Sequence, residues 1–219
     1  SNLSHELRTP VSVIRANSET LLDGALDNKK DAKIFAKAIL HNSERLSLMV
    51  SDLIDLSRIE YGDLKLNIVS IDLDEFVNSF IVSMKSRTKK KGIDLVYKPS
   101  HKTKIKADVQ ALERIFTNLV DNAFKYSPDE SLIEISTKQD DNNVRVMISD
   151  NGVGISEIDK GHIFDRFYRA ASARASHNKG SGLGLAIVKN LVNSLNGDVG
   201  VSSGVSKGSI FWFTLPSGK

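Results

Sequence analysis

Leu3, Leu7, Val11, Ile14, Ser18 and Leu21 recur at intervals of three and four residues. After Asp23–Lys30, which reads as a turn, the spacing resumes at Ile39, Asn42, Leu46, Met49, Leu53 and Leu56. That periodicity gives each segment one apolar stripe, with a seven-residue repeat in the second. It predicts two long helices joined by a short loop, an antiparallel hairpin. A lone hairpin cannot cover both faces of its stripe, whereas two copies can, as a four-helix bundle. Residues 1–61 are therefore expected to form a homodimer.

The repeat stops within "RIEYGDLKLN", residues 58–67. Residues 62–67 read as a linker and 68–219 as a second domain. Its pattern mixes types. "LKLNIVSIDL" and "IDLVYKP" look like strands around the helix "DLDEFVNSFIVSMKSRTKKKG". "TKIKAD" is a short strand, and "VQALERIFTNLVDNAFKY" a strongly periodic helix stopped by Ser127–Pro128. "SLIEISTKQ" and "NVRVMISD" alternate as a hairpin around Asp140–Asn143. "GLGLAIVKNLVNSLNG" is a helix ending at Asn196–Gly197, and two more strands close the chain. The expected class is an α+β sandwich, one mixed sheet covered by helices. Residues 170–181 are small and polar and read as a loop.

Composition narrows the function. There is no cysteine, which excludes disulfides, thiolate metal sites and a cysteine nucleophile. The net charge is only +3, and the one tight basic run, Lys89–Lys91, suits the negative end of a helix. No nucleic-acid partner is expected. No apolar run approaches the roughly 18–20 residues of a membrane span. The chain begins four residues before a histidine and without Met. It reads as a piece of something longer, so any membrane contact would come through a region outside it. The piece itself is expected to be cytoplasmic.

Three segments of the second domain carry candidate chemistry. Asn118, Asn122 and Lys125 fall at i, i+4 and i+7, on one face of the long helix, with Tyr126 next in sequence. Carboxamide oxygens are hard ligands suited to Mg²⁺, and a lysine holds phosphate as a point charge. Alone, this is a polar stripe on an exposed face. Asp150 follows an apolar strand and precedes Gly152 and Gly154. It suits an exocyclic amine, and the glycines allow a flat ring close to the backbone. Alone, it is a turn. Gly180, Gly182, Leu183, Gly184 and Leu185 open a helix, whose free N–H groups and dipole attract anions. The loop lacks the last glycine of a dinucleotide fingerprint and the lysine of a P-loop. Together the three describe a nucleotide triphosphate site.

In that order the segments resemble the N, G1 and G2 boxes of the ATP-binding domain shared by sensor histidine kinases, type II topoisomerases and related ATPases. "IFDRFYR", Ile163–Arg169, is similar to the F box of histidine kinases, and 170–181 takes the place of their nucleotide lid. "SHELRTP" resembles their H box. The resemblance covers essentially the whole chain, five boxes in order. It implies ATP and Mg²⁺, with adenine near Asp150, Mg²⁺ on Asn122 and Asn118, and phosphates on Lys125 and the amides of Gly182 to Leu185. Tyr126 packs on the nucleotide or belongs to the core. Arg166, Arg169, Arg174 and Lys179 flank the lid.

The resemblance also implies that His5 receives a phosphoryl group and passes it to an aspartate of a response-regulator receiver domain. Glu6 is suited by type to take the proton from the other ring nitrogen. Neighbours in sequence do not share a helix face, so Glu6 reaches its own histidine or another group; its own is favoured. Thr9 is one turn from His5 and is placed by the resemblance near the water that dephosphorylates the partner; otherwise it is a surface threonine. Pro10 removes an N–H and should kink the helix. Two other readings stand against the kinase: a non-catalytic dimeric scaffold, and an ATPase clamp.

Overall fold

The computed structural model describes residues 2–100, 103–140, 142–170, 181–204 and 208–218. The chain divides into two compact units, Ser1–Ser57 and Arg58–Lys219.

In the first unit α1 (Asn2–Leu22) and α2 (Lys29–Glu60) are separated by a 3₁₀ turn at Ala25–Asp27. Gly24 makes the turn possible, with φ 120°. Asn28 then opens α2 by accepting the amide of Lys30 at 3.0 Å. The helices are antiparallel: Glu6 on α1 pairs with Arg45 on α2 across the hairpin, at 3.5 Å. Met49 and Leu56 are buried. Val11, Leu40, Leu48, Val50 and Ile54 are left exposed.

The second unit follows the expected class with one correction. β1 (Val69–Asp72) and β3 (Lys104–Ala107) do not join the main sheet; they pair antiparallel as a separate two-stranded ribbon. β1 is also much shorter than "LKLNIVSIDL", because only four of its residues find partners on β3. An isolated bridge from Ile105 to Ser217 ties the ribbon to the last strand.

The main sheet has the order β2-β4-β5-β7-β6, with β2 (Asp94–Lys98), β4 (Leu132–Asp140), β5 (Asn143–Ser149), β6 (Val199–Ser203) and β7 (Ser209–Pro216). β2 lies parallel to β4 and the other pairs are antiparallel, so the sheet is mixed. Alternate residues on β4 and β5, among them Ile133, Ile135, Val144, Val146 and Ile148, are fully buried.

Helices cover that face. α3 (Leu73–Lys91) starts at Asp72, whose carboxylate accepts the amides of Asp74 and Glu75. It ends at Gly92 in the left-handed region, with Lys89–Lys91 in its last turn. α4 (Val109–Tyr126) starts at Asp108, which accepts the amide of Ala111. It stops at Ser127, extended because Pro128 follows. After the short α5 (Glu157–Lys160) comes α6 (Gly184–Ser194). The core joins through four rings: Phe116 of α4 lies 5.2 Å from Phe76, 5.5 Å from Phe80 and 5.7 Å from Phe213 of β7. Such contacts add about 0.5–1.5 kcal/mol each beyond area burial. The core thereby fixes α4 against the sheet, and α4 carries the polar face of the site.

Candidate functional site

α4 is sharply two-faced. Leu112, Ile115, Phe116, Leu119 and Ala123 are buried, while Asn118, Asn122, Lys125 and Tyr126 are half-buried. Asn118 donates its Nδ2 to the carbonyl of Arg114 at 2.9 Å, which turns its Oδ1 away from its own helix. That oxygen points at α6: a Cβ on Gly184 would stand 2.6 Å from it. The ammonium of Lys125 lies 5.0 Å from the centre of the Tyr126 ring.

Asp150 follows β5 and is 5% exposed. Its Oδ1 accepts the amide of Gly152 at 2.8 Å and that of Ser209 at 3.3 Å. Burial pushes its carboxyl above the ordinary range, and the two amides pull it back down. A desolvated carboxylate in this state gains from a further donor. Gly152 is tightly enclosed; a Cβ there would come 2.8 Å from the carbonyl of Tyr126. Gly154 has φ 75°. Burial raises the phenol of Tyr126, and nearby Arg169 opposes the shift.

Gly182 has φ 72°, Leu183 is fully buried, and Gly184 and Leu185 start α6 half-buried. Gly180 lies outside the described residues, as do Arg174 and Lys179. Among the rest, the Asn118–Gly184 and Tyr126–Gly152 approaches gather all three segments around α4. The F-box segment joins them. Ile163 is buried, Phe164 sets its ring edge-on to Phe211 at 6.5 Å, and Phe167 donates its amide to the carbonyl of Gly182 at 2.9 Å.

Two residues that sequence reasoning missed belong here. Ser209 holds Asp150 from both sides, since its carbonyl also accepts the Asp150 amide at 2.9 Å. Gly208 lies flat on the same strand end, where a Cβ would fall 1.6 Å from the Asp150 carbonyl. Their only signal was a glycine opening the last apolar strand.

In the first unit His5 is exposed on α1. Thr9 donates its hydroxyl to the carbonyl of His5 at 3.1 Å. Pro10 is buried and leaves the carbonyl of Glu6 without its usual helical donor. The favoured pairing of Glu6 with its own histidine gives way to Arg45, 3.5 Å away across the hairpin. Successive side chains on a helix point about 100° apart, so Glu6 faces the second helix while His5 faces solvent.

Comparison with known proteins agrees with this anatomy. The model of the His Kinase A (phospho-acceptor) domain matches residues 1–62. That of the histidine kinase-, DNA gyrase B-, and HSP90-like ATPase matches 107–219. The sensor-like histidine kinase SenX3 of Mycobacterium tuberculosis is 35% identical over 217 residues, 99% of this chain.

The chain belongs to the sensor histidine kinases.

Another relative, the sensor histidine kinase WalK of Bacillus subtilis, is 33% identical over 99% of the chain. The chain spans 53% of SenX3 and 36% of WalK. Among solved structures, the Acinetobacter baumannii histidine kinase AdeS aligns with a TM-score of 0.79 and 26% identity over 98% of both chains. Full-length ShkA, solved in complex with AMPPNP, aligns at 0.72 and 26% identity over 98% of this chain and 44% of its own.

The donor set of the site is informative. Among the described residues no group of three or more His, Asp or Glu side chains could hold a metal ion. The carboxamide oxygens of Asn118 and Asn122 on α4 are hard donors, of the kind that suits Mg²⁺ rather than Zn²⁺. The outward Oδ1 of Asn118 fits that role. No described helix is long and apolar enough to cross a membrane.

Proposed function

We propose that this chain is the catalytic core of a sensor histidine kinase, which binds Mg-ATP, phosphorylates its own His5 and passes the group to an aspartate of a response-regulator receiver domain. The convergence of Asn118, Gly184, Asp150 and Gly152 around α4 carries the reading.

The exocyclic amine of adenine donates to the Asp150 carboxylate. Gly152 and Gly154 let the ring approach the backbone. Lys125 and the amides of Gly182 to Leu185 hold phosphate oxygens. Mg²⁺, held by Asn122 and Asn118, would neutralise phosphate charge. A neutral imidazole nitrogen of His5 attacks the γ-phosphorus; the bond from that phosphorus to the bridging oxygen breaks and ADP leaves. The other ring nitrogen gives its proton to Glu6, which must first turn from Arg45. Positioning and charge neutralisation supply most of the acceleration. Thr9, anchored to the His5 carbonyl, positions water for hydrolysis of the phosphorylated partner. The exposed apolar residues of the hairpin support a homodimer. The reading places the piece in the cytoplasm, with membrane attachment elsewhere in the parent protein.

ADP release separates this reading from its rivals. Self-phosphorylation predicts a burst of ADP limited by the amount of chain. Continued turnover that survives His5→Gln would favour an ATPase clamp. Nucleotide binding without any ADP would favour a scaffold.

A further inference from the structure

The F-box segment holds an unusual backbone. Phe167 has φ 61°, the left-handed region, which is strained for a bulky side chain. Such a conformation persists only where the surroundings over-determine it. One determinant is the bond from its amide to the carbonyl of Gly182. The two backbones touch: a Cβ on Gly182 would stand 2.9 Å from the Cα of Phe167.

Beside the bond from the Tyr168 amide to the Asp165 carbonyl at 3.2 Å, a further determinant follows in sequence. Tyr168 donates its hydroxyl to Oδ1 of Asp159 at 2.7 Å. Asp159 is itself fixed, because its Oδ2 accepts the hydroxyl of Ser156 at 2.5 Å and its carbonyl accepts the amides of His162 and Ile163. The Tyr168 ring also lies 5.5 Å from that of His162. A chain of contacts therefore runs from Asp159 through Tyr168 and Phe167 to Gly182. From there it reaches Gly184, which faces Asn118.

We propose that Asp159 and Tyr168 are positioning residues for nucleotide binding: their bond holds Phe167 against Gly182 and presets the backbone that opens α6. The inference rests on the nucleotide reading above. Neither residue touches the nucleotide; both act through the conformation of Gly182.

The test is the affinity of the whole chain for Mg-AMPPNP, by calorimetry, with Tyr168→Phe, Asp159→Ala and the pair. Each single change should raise Kd roughly tenfold, the scale of one lost bond to a charged acceptor. The double variant should lose no more than the worse single, because the Tyr168–Asp159 bond is already gone in either one. Asp159→Asn keeps an acceptor and should retain most of the affinity. Self-phosphorylation at saturating Mg-ATP should stay within roughly twofold in Tyr168→Phe. Hydrogen exchange at the Phe167 amide should quicken in ligand-free Tyr168→Phe. This second readout stands even if Asp159→Ala folds poorly. An unchanged Kd in Tyr168→Phe, losses that multiply in the double variant, or a fall confined to the saturating rate would each overturn the proposal. Failure of the unaltered chain to bind Mg-AMPPNP would instead overturn the nucleotide reading on which it stands.

Discussion

Asn118 on α4 and Gly184 at the start of α6 face each other so closely that no side chain fits between them; a Cβ on the glycine would meet the carboxamide oxygen at 2.6 Å. The obstacle is the tip of a side chain, which can swing aside. Gly184→Ala should therefore fold, with a melting temperature close to that of the unaltered chain, while displacing Asn118. Affinity for Mg-AMPPNP should fall at least roughly tenfold, about 1.4 kcal/mol. Gly208→Ala is the contrast. There the obstacle is the backbone carbonyl of Asp150, at 1.6 Å, so the fold itself should lose several kcal/mol. Melting curves and calorimetry on the two variants separate a site glycine from a scaffold glycine.

Asp150 should trade stability for binding. Its carboxyl is raised by burial, so its favourable contribution to folding is full below the unfolded value, 3.8, and is lost as pH rises through the raised native value. Above that raised value the ligand-free fold carries a desolvated charge. Asp150→Asn keeps an acceptor for the amides of Gly152 and Ser209 and removes the charge. It should raise the ligand-free melting temperature at pH 7, by roughly 2–4 °C for each kcal/mol relieved, and narrow that gain toward pH 3.8. The same change should weaken Mg-AMPPNP. A lower melting temperature at pH 7 would show that the charge stabilises the fold.

The polar face of α4 was legible because helical period alone places Asn118, Asn122 and Lys125 together. What depends on distant pairing was not. Ser209 reaches Asp150 across 59 positions of sequence, through the antiparallel pairing of β5 with β7. The partner of Glu6 lies 39 positions away on the second helix. Nothing in "LKLNIVSIDL" shows that its pairing is capped by a four-residue β3, or that this ribbon stays out of the main sheet. The left-handed backbone of Phe167 has no sequence signal, since the residue type argues against it.

The hairpin should dimerise through residues a single copy leaves in water. Val50 and Ile54 lie one turn apart on α2 and are 45% and 48% exposed. The unaltered chain should sediment as a dimer. Val50→Lys with Ile54→Lys should weaken association by roughly 100-fold or more, since the apolar burial lost is counted in both copies. Mg-AMPPNP affinity should hold, because the nucleotide residues are all in the second unit. A monomeric unaltered chain would contradict the bundle.

The most direct test is incubation of the chain with Mg-ATP labelled on the γ-phosphate, beside His5→Gln and Glu6→Gln, followed by acid and base treatment of the protein. The account predicts label that is lost in acid, stable in base and absent from His5→Gln. It predicts slower labelling in Glu6→Gln, by roughly 10²-fold, the scale of general-base assistance. Label that persists in His5→Gln, or survives acid, would contradict the assignment of His5 as the phosphoryl acceptor.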